Sequence, residues 1–261
     1  MTAAAPFDLL ALNYDVQFTS SALGRVLRRA VWRWLDRAFP DNRRVCELGC
    51  GTGEDALHLA ERGIRVLALD QSRAMLSTAA EKVERHGFGN AITLRQLDIE
   101  CLANLVGEFR GNFDGAFSNF GALNCVANLT SVARALASLV IPRGRVVLCM
   151  MGPVVPWEWG WFLRRGQPAA AFRRLTPGGV GWRDITVRYP SIGYVRRTFA
   201  QHFTLVRSAG LGVLLPPSYA DAWAREHPEW IERLERWERR IESWPLVPRL
   251  ADHYLLELVR R

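Results

Sequence analysis

The chain has 261 residues, of which 49% are hydrophobic and 23% are charged. These proportions exclude an intrinsically disordered chain, and no apolar run reaches the roughly 18–20 residues that cross a bilayer. The formal net charge is +8, but the arginines are spread along the whole chain, so we expect no nucleic-acid partner.

The termini and the metal-binding residue types give two further expectations. The N-terminus has no basic region followed by an apolar segment, which predicts a cytoplasmic protein without a signal peptide. The five cysteines form no Cys-x-x-Cys pair, and the five histidines are widely separated. Because no spacing typical of a metal site is present, we expect no bound metal. The sequence leaves the oligomeric state open.

The first half of the chain alternates short apolar runs with amphipathic segments. Residues 7–39 carry apolar side chains at helical spacing and predict a helical segment, which Pro40 interrupts. The predicted strands are 44–48, 65–69, 92–96, 113–118 and 145–150, and the predicted helices are 53–62, 72–86 and 130–140. Strands that alternate with helices of this length indicate βαβ units and a parallel sheet.

The pattern changes after Met151. An aromatic stretch follows, with Trp157, Trp159, Trp161, Phe162 and Phe172 interleaved with arginines. Further elements are predicted as short strands within 177–190, a helix over 191–201, strand over 203–206 and 211–215, a long helix over 218–244, and a final strand over 252–259. Residues 157–175 also resemble a basic amphipathic segment, which gives a weak membrane-surface contact as an alternative expectation.

The most informative motif is a glycine-rich loop that follows the first predicted strand. It has the pattern Glu47-x-Gly49-x-Gly51-x-Gly53, and Asp70 ends the second strand. Glycine allows a sharp turn and a close approach of the backbone to a ligand. An acidic residue at the end of the next strand is placed to accept hydrogen bonds from a ribose. The motif therefore predicts a cofactor that contains adenosine.

Three further features complete a resemblance to a known family. Asp98-Ile99 follows the third strand, and Ser118-Asn119-Phe120 ends the fourth strand, which begins near Asp114. In this order, the glycine loop, Asp70 and these residues resemble the class I S-adenosylmethionine-dependent methyltransferases. The resemblance covers about residues 43–151. It implies S-adenosyl-L-methionine as the cofactor and methyl transfer as the reaction.

The resemblance also implies a role for each matching residue. Gly49, Gly51 and Gly53 let the loop wrap around the cofactor, Glu47 orders the loop, and Asp70 holds the ribose hydroxyls. Asp98 and Ile99 contact the adenine, and Asn119 faces the methionine part. Tyr14 in the N-terminal helix is expected to act as a lid residue. The full predicted cofactor set is Tyr14, Glu47, Gly49, Cys50, Gly51, Gly53, Asp70, Gln71, Met75, Asp98, Ile99 and Asn119.

Together with the resemblance, the pattern predicts an α/β fold. It is Rossmann-like and doubly wound, with a mostly parallel seven-stranded sheet and an aromatic cap insertion between strands 5 and 6. We expect a single methyltransferase domain over 1–261. Its parts are an N-terminal helical lid (1–42), a cofactor-binding core (43–151), and substrate cap or insertion segments (152–202 and 216–248).

The acceptor is less defined by the sequence than the cofactor. The strand end is not the Asn-Pro-Pro-Tyr type associated with base methylation, no Pro-Cys dipeptide is present, and the aromatic cap predicts an apolar pocket. We therefore expect transfer to an oxygen or nitrogen of a small, apolar or aromatic metabolite. The candidate catalytic residues are His253, Tyr254 and Asn124, and Glu158, Tyr219 and His202 are weaker candidates.

Four alternatives remain open at this point. A nicotinamide or flavin oxidoreductase would have the fingerprint G-x-G-x-x-G, which this loop does not match. An enzyme could use S-adenosylmethionine without methylating, in a cyclisation or decarboxylation. A lipid-directed methyltransferase could act at a membrane surface. A non-enzymatic protein could instead bind a membrane or a partner through residues 157–175 and 220–244. For the enzyme, the expected partner is a small-molecule acceptor substrate.

Overall fold

The computed structural model describes residues 7–217 and 220–261. Its main sheet has seven strands: β1 (Arg44–Leu48), β2 (Arg65–Asp70), β3 (Ile92–Gln96), β4 (Phe113–Ser118), β5 (Val140–Met151), β8 (Phe203–Leu211) and β9 (His253–Arg260). Their order is β3-β2-β1-β4-β5-β9-β8. Only β9 runs antiparallel to its neighbours. The prediction of a mostly parallel seven-stranded sheet is confirmed.

Eleven helices surround this sheet in the described residues. They are α1 (Asp8–Tyr14), α2 (Ala22–Ala38), α3 (Glu54–Ala60), α4 (Arg73–Arg85), α5 (Val106–Phe109), α6 (Leu129–Leu139), α7 (Pro156–Leu163), α8 (Pro168–Phe172), α9 (Ile192–Phe199), α10 (Asp221–Glu226) and α11 (Pro228–Ile241). A two-stranded ribbon, β6 (Val180–Trp182) and β7 (Ile185–Val187), stands apart from the main sheet. None of the helices in these two ranges has the length and apolar character of a membrane span.

Two apolar cores lie on the two faces of the sheet, as a doubly wound fold requires. Apolar side chains of α2 and α3 pack on one face, against strand residues such as Val45 and Phe117. Side chains of α6 and α9 pack on the other face, against strand residues such as Leu48 and Leu148. Because β1 and β4 lie in the centre of the sheet, their side chains are buried on both faces. The carboxyl ends of these strands therefore form one fixed edge.

The segment between the fifth and sixth strands of the main sheet, in chain order, is residues 152–202. It contains α7, α8, the β6–β7 ribbon and α9. Backbone atoms join the ribbon to the rest of the fold, since the Arg188 N–H donates to the Asn124 carbonyl at 2.7 Å. This contact brings the ribbon to the carboxyl end of β4.

The helical prediction for residues 7–39 differs from the structure in one place. The helix is broken: α1 is followed by a π-helical turn over Asp15–Thr19, and α2 starts after Ser21. The Ser21 hydroxyl accepts from the Gly24 N–H at 3.0 Å and donates to the Phe18 carbonyl at 2.8 Å. A serine that caps a new helix stops the preceding one.

Two later predictions are also corrected. The strand predicted over 211–215 ends at Leu211, because the N–H groups of Gly212, Leu214 and Leu215 donate to the Glu238 carboxylate rather than to a strand. The long helix predicted over 218–244 is two helices, α10 and α11, separated at Pro228, which has no N–H to continue the first. Its residues 218–219 lie outside the described residues.

Candidate active site

A cavity of about 400 Å³ opens at the carboxyl ends of β1, β2 and β4. This edge is where ligands bind in open α/β sheets. One end of the cavity is polar and the other is apolar. Its lining comprises Phe7, Tyr14, Gly49, Gly51, Asp70, Gln71, Met75, Asp98, Ile99, Glu100, Asn119, Phe120, Gly121, Ala122, Cys125, Val126, Met151, Trp182, Ile185 and Val187. Nine of the twelve predicted cofactor residues are in this set; Glu47, Cys50 and Gly53 are not.

The glycine loop is held in place by the end of β2. The N–H groups of Gly49 and Cys50 both donate to the Leu69 carbonyl at 2.8 Å, and the Gly51 N–H donates to the Asp70 carboxylate at 2.8 Å. Gly49, Gly51 and Gly53 all have positive φ, the conformation that favours glycine. A Cβ on Gly49 would lie 2.3 Å from the Ala122 Cβ. The loop therefore requires glycine for its shape.

Asp70 is a buried carboxylate at the polar end of the cavity. Its second oxygen accepts from the Ser72 N–H at 2.8 Å, so both oxygens are oriented by backbone donors. Burial raises the pKa of Asp70, and the hydrogen bonds from Ser72 and Gly51 oppose this shift. A carboxylate oxygen can accept more than one hydrogen bond. Asp70 can therefore also accept hydroxyl donors from a ligand.

The adjacent wall comes from the segments that follow β2 and β3. Gln71 follows Asp70, and Met75 is buried in the first turn of α4. Asp98 precedes a 3₁₀-helix and accepts from the Glu100 N–H at 2.9 Å. This bond leaves one oxygen of the exposed Asp98 carboxylate for a ligand. The buried Ile99 side chain forms the floor beside it.

The N-terminal helix covers the glycine loop. Tyr14 lies at the end of α1 and its ring lines the cavity, 3.9 Å from where a Cβ on Gly51 would lie. Burial raises the pKa of Tyr14 to about 12, so its hydroxyl is protonated at neutral pH. Asp15 accepts from the Thr52 hydroxyl at 2.7 Å, and Asp8 accepts from the Ser72 hydroxyl at 2.6 Å. These bonds fix the helix to the loop and to the start of α4.

A buried polar network lies directly under the loop. Asp55, in the first turn of α3, accepts from the Arg28 guanidinium at 2.7 Å and from the Trp32 indole at 2.8 Å. Its other oxygen accepts from the Asn119 amide at 2.9 Å. The amide oxygen of Asn119 has no protein partner. Asp55 thus orients Asn119, which lines the cavity, with an acceptor free for a ligand.

Glu47 belongs to the same buried region, although it does not line the cavity. Its side chain is on the end of β1, and one of its oxygens has no hydrogen-bond partner. Burial raises the pKa of Glu47 well above its usual range, with a further rise from the nearby Asp55. This shift favours the protonated form of the carboxyl. Cys50 and Gly53 shape the loop instead: Gly53 donates its N–H to the Cys50 carbonyl at 3.0 Å.

The opposite end of the cavity is apolar. The β6–β7 ribbon contributes Trp182, Ile185 and Val187, and β5 contributes Met151. Phe120, which follows β4, packs edge-on against Phe18 with ring centroids 4.9 Å apart. The sequence patterns did not identify Phe7, Phe120, Met151, Ile185 or Val187 as site residues, and Trp182 was expected only as one of the aromatic residues of the cap. Only the fold brings these distant segments to one edge.

The three predicted catalytic residues do not line the cavity. Tyr254 is fully buried, and its hydroxyl donates to the Pro190 carbonyl at 2.9 Å. Asn124 is also buried; its amide group bonds to the Met151 N–H and carbonyl and to the Arg188 carbonyl. Both side chains thus join segments of the fold.

His253 lies behind the cavity wall. Its ring packs edge-on against Phe120 with centroids 5.8 Å apart, and its Nδ1 is 3.1 Å from the Asp252 carboxylate. Burial disfavours the charge on Asp252, but His253 and Arg174 together lower its pKa below its usual range. His253 therefore supports an aromatic side chain of the cavity without reaching the space itself.

The weaker catalytic candidates are also placed elsewhere or not described. Glu158 is buried and forms ion pairs with Arg173 and Arg174, the latter at 2.7 Å. His202 precedes β8, which runs in the same direction as β5. It therefore lies at the amino ends of the parallel strands, whereas the cavity lies at their carboxyl ends. Tyr219 lies outside the described residues. Within the described ranges, no group of three His, Cys, Asp or Glu side chains could hold a metal ion.

Comparison with known proteins gives the family. Residues 40–157 match a family described as "Methyltransferase domain". The chain is 32% identical over 185 residues to the demethylmenaquinone methyltransferase of Thermobifida fusca, and the match covers 64% of this chain and 70% of that enzyme. It is 28% identical over 182 residues to the tRNA 5-carboxymethoxyuridine methyltransferase of Escherichia coli K12, covering 66% of this chain and 68% of the relative.

A third relative is matched over a shorter length. The chain is 31% identical over 107 residues to the putative methyltransferase YqeM of Bacillus subtilis, and the match covers 41% of this chain and 40% of YqeM. The chain therefore spans well under two thirds of that relative's length.

Solved structures share the fold. An S-adenosylmethionine-dependent methyltransferase from Mesorhizobium loti has a TM-score of 0.56 at 19% identity, with 93% of this chain and 99% of that chain covered. The geranyl diphosphate C-methyltransferase of Streptomyces coelicolor, solved with S-adenosyl-L-homocysteine, has a TM-score of 0.59 at 13% identity, with 90% and 81% covered. This chain is an enzyme of the class I S-adenosylmethionine-dependent methyltransferase family.

Proposed function

We propose that the cavity binds S-adenosyl-L-methionine at its polar end. The residues present fit this group, because a buried carboxylate, an exposed carboxylate and a glycine-rich loop that lets a ligand approach the backbone meet in one space. In this proposal Asp70 holds the ribose hydroxyls, Asp98 and Ile99 hold the adenine, and the glycine loop runs along the methionine part. Met75, Gln71 and Tyr14 complete the walls, and Glu47, Cys50 and Gly53 shape the loop.

Asn119 and the network behind it fit the methionine end of this arrangement. The free amide oxygen of Asn119 is a buried acceptor, and its direction is set by the bond from its amide nitrogen to Asp55. A buried acceptor without a partner costs free energy unless a ligand donates to it. An ammonium group is such a donor.

We further propose that the acceptor is a small, apolar or aromatic molecule methylated on oxygen or nitrogen. The observation that carries this is the apolar end of the same cavity, formed by Phe120, Met151, Trp182, Ile185 and Val187. S-adenosylmethionine supplies a sulfonium methyl group, which a nucleophile takes by in-line displacement. Walls that align the nucleophile and exclude water supply much of the rate of such a reaction.

The walls of the apolar end contain little that could act as a base. Among the described lining residues none is His or Lys, and burial raises the pKa of Cys125 to about 11. Of the lining carboxylates, Asp70 and Asp98 belong to the polar end, and Glu100 accepts from the Ala127 N–H at 2.5 Å. The chain therefore contributes positioning there, and an acceptor atom that is already nucleophilic, such as an amine or an acidic phenol, suits the site. The relative named for demethylmenaquinone agrees with an aromatic acceptor.

The two ends can be tested separately with labelled S-adenosylmethionine and a panel of small phenols and amines, with tRNA as a comparison. Asp70→Asn removes a charged acceptor, whose hydrogen bonds contribute about 1.5–3 kcal/mol each. It should raise the KM for S-adenosylmethionine by about tenfold or more and change the acceptor KM little. Ile185→Asp puts a charge into the apolar end, so it should raise the acceptor KM and change the KM for S-adenosylmethionine little.

The products decide between the candidate functions. Mass spectrometry should find one added methyl group on a small acceptor. Labelled tRNA with no labelled small molecule would contradict the proposed acceptor class. Conversion of S-adenosylmethionine without a methylated product would contradict methyl transfer.

A further inference from the structure

Four exposed tryptophans of the C-terminal helical region are spaced seven residues apart. They are Trp223 on α10, Trp230 and Trp237 on α11, and Trp244 just after it, with exposed fractions of 41%, 49%, 58% and 60%. Seven residues are nearly two helical turns, about 10.5 Å, so Trp230 and Trp237 lie on the same face of α11. Large aromatic side chains that remain this exposed at regular spacing indicate an interaction surface.

Arginines accompany the two tryptophans of α11. The Arg233 guanidinium lies over the Trp230 ring at 5.4 Å from its centroid, and Arg240 lies over Trp237 at 5.1 Å. A tryptophan followed three residues later by an arginine is therefore repeated after seven residues. We call the face formed by Trp230, Arg233, Trp237 and Arg240 the Trp–Arg face.

Three carboxylates of this region, Glu235, Glu238 and Glu242, point towards the rest of the fold. Glu235 pairs with Arg29 at 2.7 Å, Glu242 pairs with Arg33 at 3.1 Å, and the buried Glu238 accepts backbone N–H groups. The inward side of α11 therefore uses acidic residues to attach to the fold. The exposed charged residues of α11 are Arg233, Arg236, Arg239 and Arg240, against Glu229 and Glu232.

We infer that the Trp–Arg face binds the surface of an anionic lipid membrane. Tryptophan is amphipathic and suits the boundary between lipid headgroups and acyl chains, and arginine pairs with phosphate. A helix with such a face lies in the plane of the membrane surface. The net charge of +8 adds long-range attraction to anionic lipid.

Charge complementarity favours a membrane over a second copy of the chain. A two-fold contact places the same patch on both partners. It would bring Arg233 and Arg240 of one copy against the arginines of the other, and like charges at a contact are unfavourable. An anionic lipid surface presents the opposite charge along the whole face.

The test is co-sedimentation of the full chain with vesicles of phosphatidylcholine, with and without phosphatidylglycerol. The wild type should bind the anionic vesicles, less so at high salt, and should not bind pure phosphatidylcholine. Trp230→Ala/Trp237→Ala should lower the partition coefficient more than about tenfold. Arg233→Gln/Arg240→Gln should lower it about 25-fold, fivefold per arginine.

Tyr194→Ala is the matched control, since Tyr194 is an aromatic residue that is 46% exposed on α9, outside both the Trp–Arg face and residues 157–175. It should leave vesicle binding unchanged, and thermal melting should show that all variants fold. Failure of the wild type to bind anionic vesicles, or equal binding by the double tryptophan variant, would overturn the inference. So would light scattering that finds a dimer which Trp237→Ala converts to a monomer, because that assigns the face to a second copy.

Discussion

The buried network under the glycine loop gives the sharpest prediction, for the substitution Asp55→Asn. Asp55 accepts from three donors, Arg28, Trp32 and Asn119. Asparagine has nearly the same shape but only one acceptor oxygen, and its own N–H₂ group would face donors. The substitution therefore leaves the buried Arg28 without a counter-charge and removes the bond that orients Asn119.

The expected cost follows from the burial of the pair. Arg28 and Asp55 are both nearly inaccessible to water, and removing one partner of a buried ion pair costs about 3–5 kcal/mol. If the free energy of unfolding falls by about 2–3 kcal/mol per molar urea, the urea concentration at the unfolding midpoint should fall by about 1–2.5 M. The double variant Arg28→Met/Asp55→Asn should lose less than the sum of the two single variants, because the unpaired charge is gone.

The assay is equilibrium unfolding in urea, followed by circular dichroism. Asp36→Asn is the matched control, because Asp36, like Asp55, pairs with an arginine, in this case Arg62, and it also contacts His58. Unlike Asp55, its side chain is 40% exposed. An exposed pair contributes about 0–1 kcal/mol. A loss below about 1 kcal/mol for Asp55→Asn, no larger than that of Asp36→Asn, would refute the reasoning.

Three further predictions concern the cavity and its surroundings. Burial raises the pKa of Glu47 well above 4.5, so its contribution to stability is present at low pH and is lost as the pH rises. Glu47→Gln should therefore gain stability over the wild type by up to about 1.4 kcal/mol per pH unit above 4.5, measured by urea unfolding from pH 5 to 8; a constant difference would contradict this. Tyr254→Phe removes the hydrogen bond to the Pro190 carbonyl and should lower the free energy of unfolding by about 1–2 kcal/mol, with turnover of labelled methyl groups unchanged. Loss of turnover in a folded variant would give Tyr254 a catalytic role. Gly49→Ala places a side chain at a φ of +73° with its Cβ 2.3 Å from the Ala122 Cβ, so it should lower the free energy of unfolding by more than about 2 kcal/mol. Gly87→Ala has the same φ but its Cβ would lie in open space, so it should cost less. Equal losses of stability in thermal melting would show that the contact with Ala122 is relieved.

The strand pattern of the first half could be read from the sequence because each strand is an apolar run with a clear end. The predicted limits of β1, β3 and β4 agree with the structure. The polar end of the cavity follows from the same feature, since residues after parallel strands meet at one edge. Asp70 and Asp98 each follow or end such a strand, and both line the cavity.

The other half of the site depends on contacts that no local pattern records. Asp55 looks like an ordinary acidic residue in the first turn of a helix, where the helix dipole favours it. Its partner Arg28 is one of many arginines at helical spacing. Trp182 and Ile185 were expected only to be part of a cap, because the sequence does not show where a long insertion returns to the sheet.

The long helix predicted over 218–244 contains four tryptophans at seven-residue spacing. An apolar residue every seven positions usually indicates a buried face. The structure places the acidic residues Glu235 and Glu238 inward and the tryptophans outward, which reverses that usual assignment.

We propose above all that the cavity at the ends of β1, β2 and β4 binds S-adenosylmethionine through Asp70. Calorimetric titration of the chain with S-adenosyl-L-homocysteine tests it most directly. We expect saturable binding at one site, weakened about tenfold or more by Asp70→Asn, and no binding of NADH. Saturation by NADH with no heat from S-adenosyl-L-homocysteine, or equal affinity in the Asp70→Asn variant, would contradict the claim.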